Sequence, residues 1–274
     1  MTPASPSGPP STERRSARRP ALSSSLYWDP LFRAMRASAG HAASLRATLG
    51  VFLLGGILVA AIGTAAFAWV AAHVMRGATQ PFDESVLRWM AAHQSPGMEQ
   101  AALEVTFLGT GLVVLVIVGV AATFLYLTSH KYSAALLLAA TAGGIVLNNV
   151  LKLSFSRPRP QLFAWGTHVV SSSFPSGHAM SAAVVYGTVA YLAARLQRRR
   201  WARVVTLGIA AVFVALISTS RLYLGVHYPS DVLAGVLVGL AWAAFCMAML
   251  EGVQRYAARR PTVRRDEEVE RRKG

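Results

Sequence analysis

Apolar positions fall into six long stretches, at about residues 48–72, 105–127, 132–152, 179–195, 204–219 and 231–250, separated by short polar segments. A helix crosses ~30 Å of hydrocarbon in about 20 residues, so each stretch is read as one membrane span. The fourth and fifth are short for the purpose, which fixes the number of spans better than their ends. Glycines recur inside them, as in Gly143-Gly144 and Gly235-x-x-x-Gly239. Small residues at such spacing let membrane helices approach closely. The segment Phe82–Met90 has an amphipathic pattern and is expected to lie on the membrane surface. The fold class that follows is all-α: a polytopic membrane protein of six transmembrane helices.

Residues 1–43 are rich in Ser, Pro, Ala and Arg and lack a sustained apolar period. They are expected to form a disordered tail with a short interfacial helix at Leu26–Met35. The first apolar run starts too late and runs too long for a secretory signal. The expected layout is a basic tail over 1–43, a six-helix domain over 44–252 and a charged tail over 253–274.

Composition agrees with a bilayer as solvent. Apolar residues make up 54% of the chain and charged residues 14%, against about a quarter in soluble domains. The formal net charge of +15 suggests nucleic acid at first. Its distribution argues against that partner, because the arginines flank apolar runs, where they act as cytoplasmic anchors. The N-terminal tail, the Lys131 loop, the loop carrying Arg195, Arg198, Arg199, Arg200 and Arg203, and the C-terminal tail all fall on one side of a six-span chain. That side is expected to be cytoplasmic, with both termini inside the cell membrane. The loop carrying Asp83, Glu84, Glu99 and Glu104 faces out. The lone cysteine, Cys246, excludes internal disulfides and a thiolate zinc site and reads as packing material.

Two outward-facing loops break the charge rule, for they hold Lys152, Arg157, Arg159 and Arg221. Topology does not explain cations there, whereas a bound anion does. In the last loop, Asp231 is the only acidic residue between Glu104 and Glu251, and a carboxylate beside a membrane core needs a partner. With Pro229 at the first helical position, Asp231 falls in the first turn of the sixth span, four residues after His227. There it can steady one imidazole nitrogen and leave the other free to attack. The plainer alternative is that Asp231 complements the helix dipole while His227 packs at the interface. Pro175-Ser176-Gly177-His178 precedes the fourth span, so Ser176 or Gly177 caps it. The free N–H groups offer an anion site, and His178 a general acid; the alternative is an ordinary turn with an interfacial aromatic. In the segment from Lys152 to Pro160, prolines hold the loop extended. Arg supplies bidentate phosphate recognition and Lys a point charge, although Arg157 also suits snorkelling to a headgroup surface.

Taken together, these segments resemble the three-part signature of the type-2 phosphatidic acid phosphatase superfamily, which is related to vanadium haloperoxidases. Lys152, six residues, then Arg159-Pro160 matches its first element. Pro175-Ser176-Gly177-His178 matches its second, and Ser220-Arg221, five residues, His227, three residues, Asp231 its third. The resemblance covers roughly residues 80–250, with no departure at a motif position. It implies catalytic roles for His227 (nucleophile, forming a phosphohistidine), Asp231 (orienting it) and His178 (acid to the leaving group). It implies phosphate binding by Lys152, Arg159, Ser176, Gly177 and Arg221, no metal and no cofactor, and a site at the extracytoplasmic ends of the helices. The implied substrate is a membrane lipid phosphate: undecaprenyl pyrophosphate, phosphatidylglycerol phosphate, phosphatidate or a lipopolysaccharide phosphate. Phe163, Trp165 and His168 are candidates for headgroup selectivity and, equally, for interfacial aromatics. Two other readings stand beside this one: a haloperoxidase-like enzyme, which the six spans oppose, and a non-catalytic lipid-phosphate binding protein or transporter, whose site belongs nearer the bilayer midplane.

Overall fold

The computed structural model describes residues 53–161 and 171–271, with side chains to Gln254. The N-terminal tail with its expected helix at Leu26–Met35, and Phe163, Trp165 and His168, lie outside the described residues. The described residues belong to one compact unit. Among them every regular element is helical: α1 (Leu53–Met75), α2 (Gln80–Ala92), α3 (Pro96–Phe107), α4 (Gly111–Leu127), α5 (Lys131–Ser154), α6 (Gly177–Leu196), α7 (Arg200–Tyr223) and α8 (Pro229–Arg271).

Among the described residues, five helices are long and apolar enough to cross a membrane: α1, α5, α6, α7 and the Pro229–Gln254 part of α8. The α3–α4 pair makes a sixth span if counted as one, bent by 45°. The second apolar stretch was expected to run unbroken from 105 to 127. Instead Leu108-Gly109-Thr110 interrupts it, and α4 restarts at Gly111 with Thr110 in an extended conformation. Apolar side chains such as Leu58, Ile62, Leu115, Val120, Val204 and Ile209 remain exposed on the outer helices. A bilayer rather than water must cover them.

The most enclosed helices are α6 and the membrane part of α8, and α6 packs on α5, α7 and α8. Its contact with α8 depends on glycine, since a Cβ at Gly235 would lie 2.6 Å from the Ser176 carbonyl oxygen and one at Gly239 would lie 2.8 Å from that of Met180. The Gly-x-x-x-Gly pair is therefore a true helix contact. On α5, a Cβ at Gly143 would overlap the Trp242 ring, whose Nε1–H donates to the Ala140 carbonyl. Cys246 is buried in a small cluster with Ala140 and Val184, as packing material should be. The up-and-down order of α5 to α8 brings the C-terminal ends of α5 and α7 and the N-terminal ends of α6 and α8 to one end of the bundle.

Candidate active site

Each sequence-predicted residue lies at that end. Lys152 is in the last turn of α5 and Arg221 in the last turn of α7. Ser176 is the N-cap of α6, Gly177 its first residue and His178 its second. Asp231 is in the first turn of α8, which begins at Pro229 as expected. His227 occupies the preceding loop, and Arg159 the loop after α5. The Ser176 N–H donates to the Asp231 carbonyl (3.0 Å), tying the starts of α6 and α8 together.

Around His227 the charges are arranged asymmetrically. Its Nδ1 is 3.6 Å from Asp231 Oδ2, an ion-pair distance too long for a hydrogen bond. On the other side Arg159 Nη1 approaches Nε2 to 3.4 Å and donates to the Val226 carbonyl (2.9 Å). Ser171 links Arg159 to Lys152, accepting from Arg159 Nη2 (3.2 Å) and from Lys152 Nζ (3.4 Å). Arg221 donates to Thr106 Oγ1 of α3 (2.8 Å), which aims it from the far wall. His227 is only 2% exposed. Burial pushes its imidazole down to about 4, helped by the positive charges of Arg159 and Arg221 and opposed by Asp231. It is therefore neutral at pH 7 and keeps a lone pair. Burial also pulls the Arg159 guanidinium below its usual range, against the attraction of Asp231.

Several buried polar atoms here have no partner: Ser176 Oγ, His227 Nδ1, Arg221 Nε and Asn148 Oδ1. Native interiors rarely leave such atoms unpaired. Of these, Ser176 Oγ and Arg221 Nε can donate, and beside the α6 N-terminus, whose first-turn N–H groups lack intrahelical partners, they describe an anion cradle. Gly177 belongs to it for a steric reason, since a Cβ there would sit 3.2 Å from Asn148 Nδ2. The broken second span contributes too. Gly109, in the break, packs where a Cβ would meet His178 Cδ2 at 3.2 Å and Ile217 at 2.7 Å. Among the described residues, no three His, Cys, Asp or Glu side chains gather as a metal ion would require.

Two expectations need correction. Arg157 does not snorkel. Its side chain is 9% exposed, and its guanidinium donates to Ser230 Oγ (2.7 Å), Asp231 Oδ1 (2.7 Å), Gln80 Oε1 (3.0 Å) and Asp83 Oδ2 (2.8 Å), over the Tyr228 ring. Asp83 is not an exposed loop acid; it is fully buried on α2, at the same end of the bundle as the site, and also accepts from the Ser230 N–H (3.0 Å). The partner that Asp231 requires is thus Arg157, with Ser173 Oγ and the Tyr228 N–H each donating to Oδ2 at 2.8 Å. The amphipathic reading of α2 survives, with Phe82 and Trp89 exposed on the face opposite Asp83 and Leu87. Asn148 was also missed; its signal was a polar side chain one helical turn before Lys152 in an apolar span.

Residues 133–255 match the PAP2 superfamily. Over 191 residues the chain is 31% identical to phosphatidylglycerophosphatase B of Bacillus subtilis, covering 69% of this chain and 94% of that protein. The chain belongs to the PAP2 superfamily. A crystal structure of a transmembrane PAP2-type phosphatidylglycerolphosphate phosphatase from Bacillus subtilis superposes with a TM-score of 0.65 at 29% identity, covering 72% of this chain and 96% of that one. An undecaprenyl-diphosphatase of Sulfolobus acidocaldarius is 38% identical over 112 residues, 39% of this chain and 50% of that protein. This PAP2 protein is a multi-pass membrane phosphatase, and its three motifs line the cradle just described.

Proposed function

We propose that this PAP2 phosphatase hydrolyses a phosphomonoester or pyrophosphate on a membrane lipid through a phosphohistidine at His227. The observation that carries the reading is the placement of a buried, neutral imidazole against Arg159, among partnerless donors, at the ends of membrane-spanning helices. In the first step His227 Nε2 attacks phosphorus. The N–P bond forms as the P–O bond to the lipid breaks, and His178 protonates the departing oxygen. In the second step a water attacks the same phosphorus while His178 takes its proton. The N–P bond breaks and inorganic phosphate leaves. Lys152, Arg159, Arg221, Ser176 and the Gly177 N–H hold the equatorial oxygens, where charge grows in the transition state. Asp231 steadies the imidazole as it becomes cationic; contacts of this type tighten when substrate binds. The cations fill the role a metal plays elsewhere, so the reaction is metal-independent.

Lipid substrates are supported by the position of the cradle at the rim of an apolar bundle and by the names of the relatives. The candidates are phosphatidylglycerol phosphate, undecaprenyl pyrophosphate, phosphatidate and a lipopolysaccharide phosphate. The arginine-rich α6–α7 loop at the opposite end supports a cytoplasmic location for that end and an extracytoplasmic one for the site. Phosphate release from these lipids by purified protein in detergent tests the activity. Binding without release would leave a lipid-phosphate binder instead. Impermeant maleimide labelling of Gln94→Cys but not Ser129→Cys, in a Cys246→Ser background in intact cells, tests the orientation. The opposite labelling pattern reverses it.

A further inference from the structure

Neither Asp83 nor Arg157 lines the cradle, yet both are buried and ionic at its edge. Burying two carboxylates is costly unless each is paired and hydrogen-bonded. Here a single guanidinium lies between them. Arg157 Nη2 serves Asp83 on α2, and Nη1 serves both Asp231 Oδ1 and Ser230 Oγ on α8. Asp83 reaches the same turn of α8 directly, through the Ser230 N–H and hydroxyl. The Tyr228 ring, under the guanidinium at 4.2 Å, belongs to the residue beside His227, and its own N–H holds Asp231 Oδ2. Gln80 completes the set, donating to Tyr228 Oη (3.2 Å) while its Oε1 accepts from Arg157. Every contact converges on the turn that joins the imidazole to the carboxylate.

The consequence for Asp231 is geometric. With Oδ1 engaged by Arg157, the carboxylate cannot rotate freely, and Oδ2 is the oxygen presented to His227 Nδ1. Fork-shaped donation fixes a plane as well as a distance, which an ammonium cannot do. We infer that Asp83 and Arg157 are positioning residues for the phosphatase reaction: a buried Asp83–Arg157–Asp231 relay, anchored on α2, holds the carboxylate in register with the nucleophilic His227. This rests on His227 being the nucleophile. The relay acts through Asp231 and not on the phosphate, so its loss lowers kcat while phosphate binding stays unchanged. A misplacement of about 1 Å in a catalytic group costs on the order of 100-fold in rate.

The test uses the full-length protein in detergent and compares Asp83→Asn, Arg157→Lys, Asp231→Asn and the Asp83→Asn/Asp231→Asn double variant. Lipid phosphatase kcat and KM are measured for each, with inorganic phosphate affinity and thermal unfolding alongside. The expected result is a roughly 10–100-fold fall in kcat for Asp83→Asn and Arg157→Lys, with KM and phosphate affinity within about twofold. Adding Asp83→Asn to Asp231→Asn should cause no further loss, because a residue acting only through Asp231 has nothing left to act on. Full activity of Asp83→Asn, additive losses in the double variant, or a fall confined to phosphate affinity would each overturn the inference. Failure of both single variants to fold would assign the network to folding alone and also overturn it. His227→Ala is run in parallel: turnover surviving there removes the nucleophile reading itself, whatever the relay variants do.

Discussion

Arg159 places a guanidinium nitrogen 3.4 Å from Nε2 of His227, the nitrogen on the side away from Asp231. A cation beside a neutral nucleophile helps only if an anion enters between them. In the proposed reaction the same guanidinium then neutralises phosphate oxygens and leaves the imidazole lone pair free. Replacing Arg159 with Lys keeps the charge and loses the fork. The expected result is a fall in kcat/KM of roughly 100-fold, with Arg159→Ala lower still, because a charge-assisted bidentate contact is lost in the transition state. Steady-state phosphate release on one lipid substrate measures it.

The close approach of Gly235 to Ser176 predicts a mutation whose effect reaches the site through packing. A methyl group at 235 would press on the Ser176 carbonyl at 2.6 Å, a backbone atom that cannot swing aside. Gly235→Ala should lower stability by about 1–3 kcal/mol and reduce turnover by displacing the α6 N-terminus. Gly187→Ala is the control: the nearest atom to its added Cβ is a Leu240 methyl at 4.0 Å, so it should behave as wild type. Thermal unfolding in detergent, read beside activity, separates the two.

The sequence revealed the site better than it revealed the site's support. Lys152, Arg159, His178, Arg221, His227 and Asp231 were legible because polar residues at the ends of apolar spans are costly and so stand out. Span positions were legible for the same reason, to within a few residues. The bend at Leu108-Gly109-Thr110 was not, since hydropathy averages over a window and does not register a three-residue interruption. Arg157 was misread because its partner Asp83 lies 74 residues away, and nothing local distinguishes a paired arginine from one at a headgroup surface. A trace existed at Asp83. It shares the inward face of α2 with Leu87, four residues on, and a carboxylate on an otherwise apolar face calls for a cation.

Metal removal should be without effect. In the proposed reaction Lys152, Arg159 and Arg221 carry the charge stabilisation, so activity in excess chelator should equal activity without it, and magnesium should add nothing. Vanadate, which adopts a trigonal-bipyramidal geometry, should inhibit competitively. A loss of activity in chelator that magnesium restores would contradict the account.

The depressed basicity of His227 has a signature in stability. Its value is about 4 in the folded protein against 6.5 ordinarily, so between these values the unfolded chain binds a proton that the folded chain refuses. Stability must therefore fall as pH drops from about 6.5 toward 4, and the contribution levels off below that. His227→Gln lacks this titration and should show a shallower decline over the same interval. Thermal unfolding at a series of pH values checks the difference. Parallel curves would mean that the imidazole titrates normally.

The most direct test of the central claim is to trap the covalent intermediate. Protein mixed with a substrate carrying a labelled phosphoryl group, quenched within the turnover time under alkaline conditions that preserve phosphohistidine, should retain acid-labile label at residue 227. His227→Ala should retain none and lose turnover by at least about 1000-fold. Label on another residue, or turnover by His227→Ala near the wild-type rate, would contradict it.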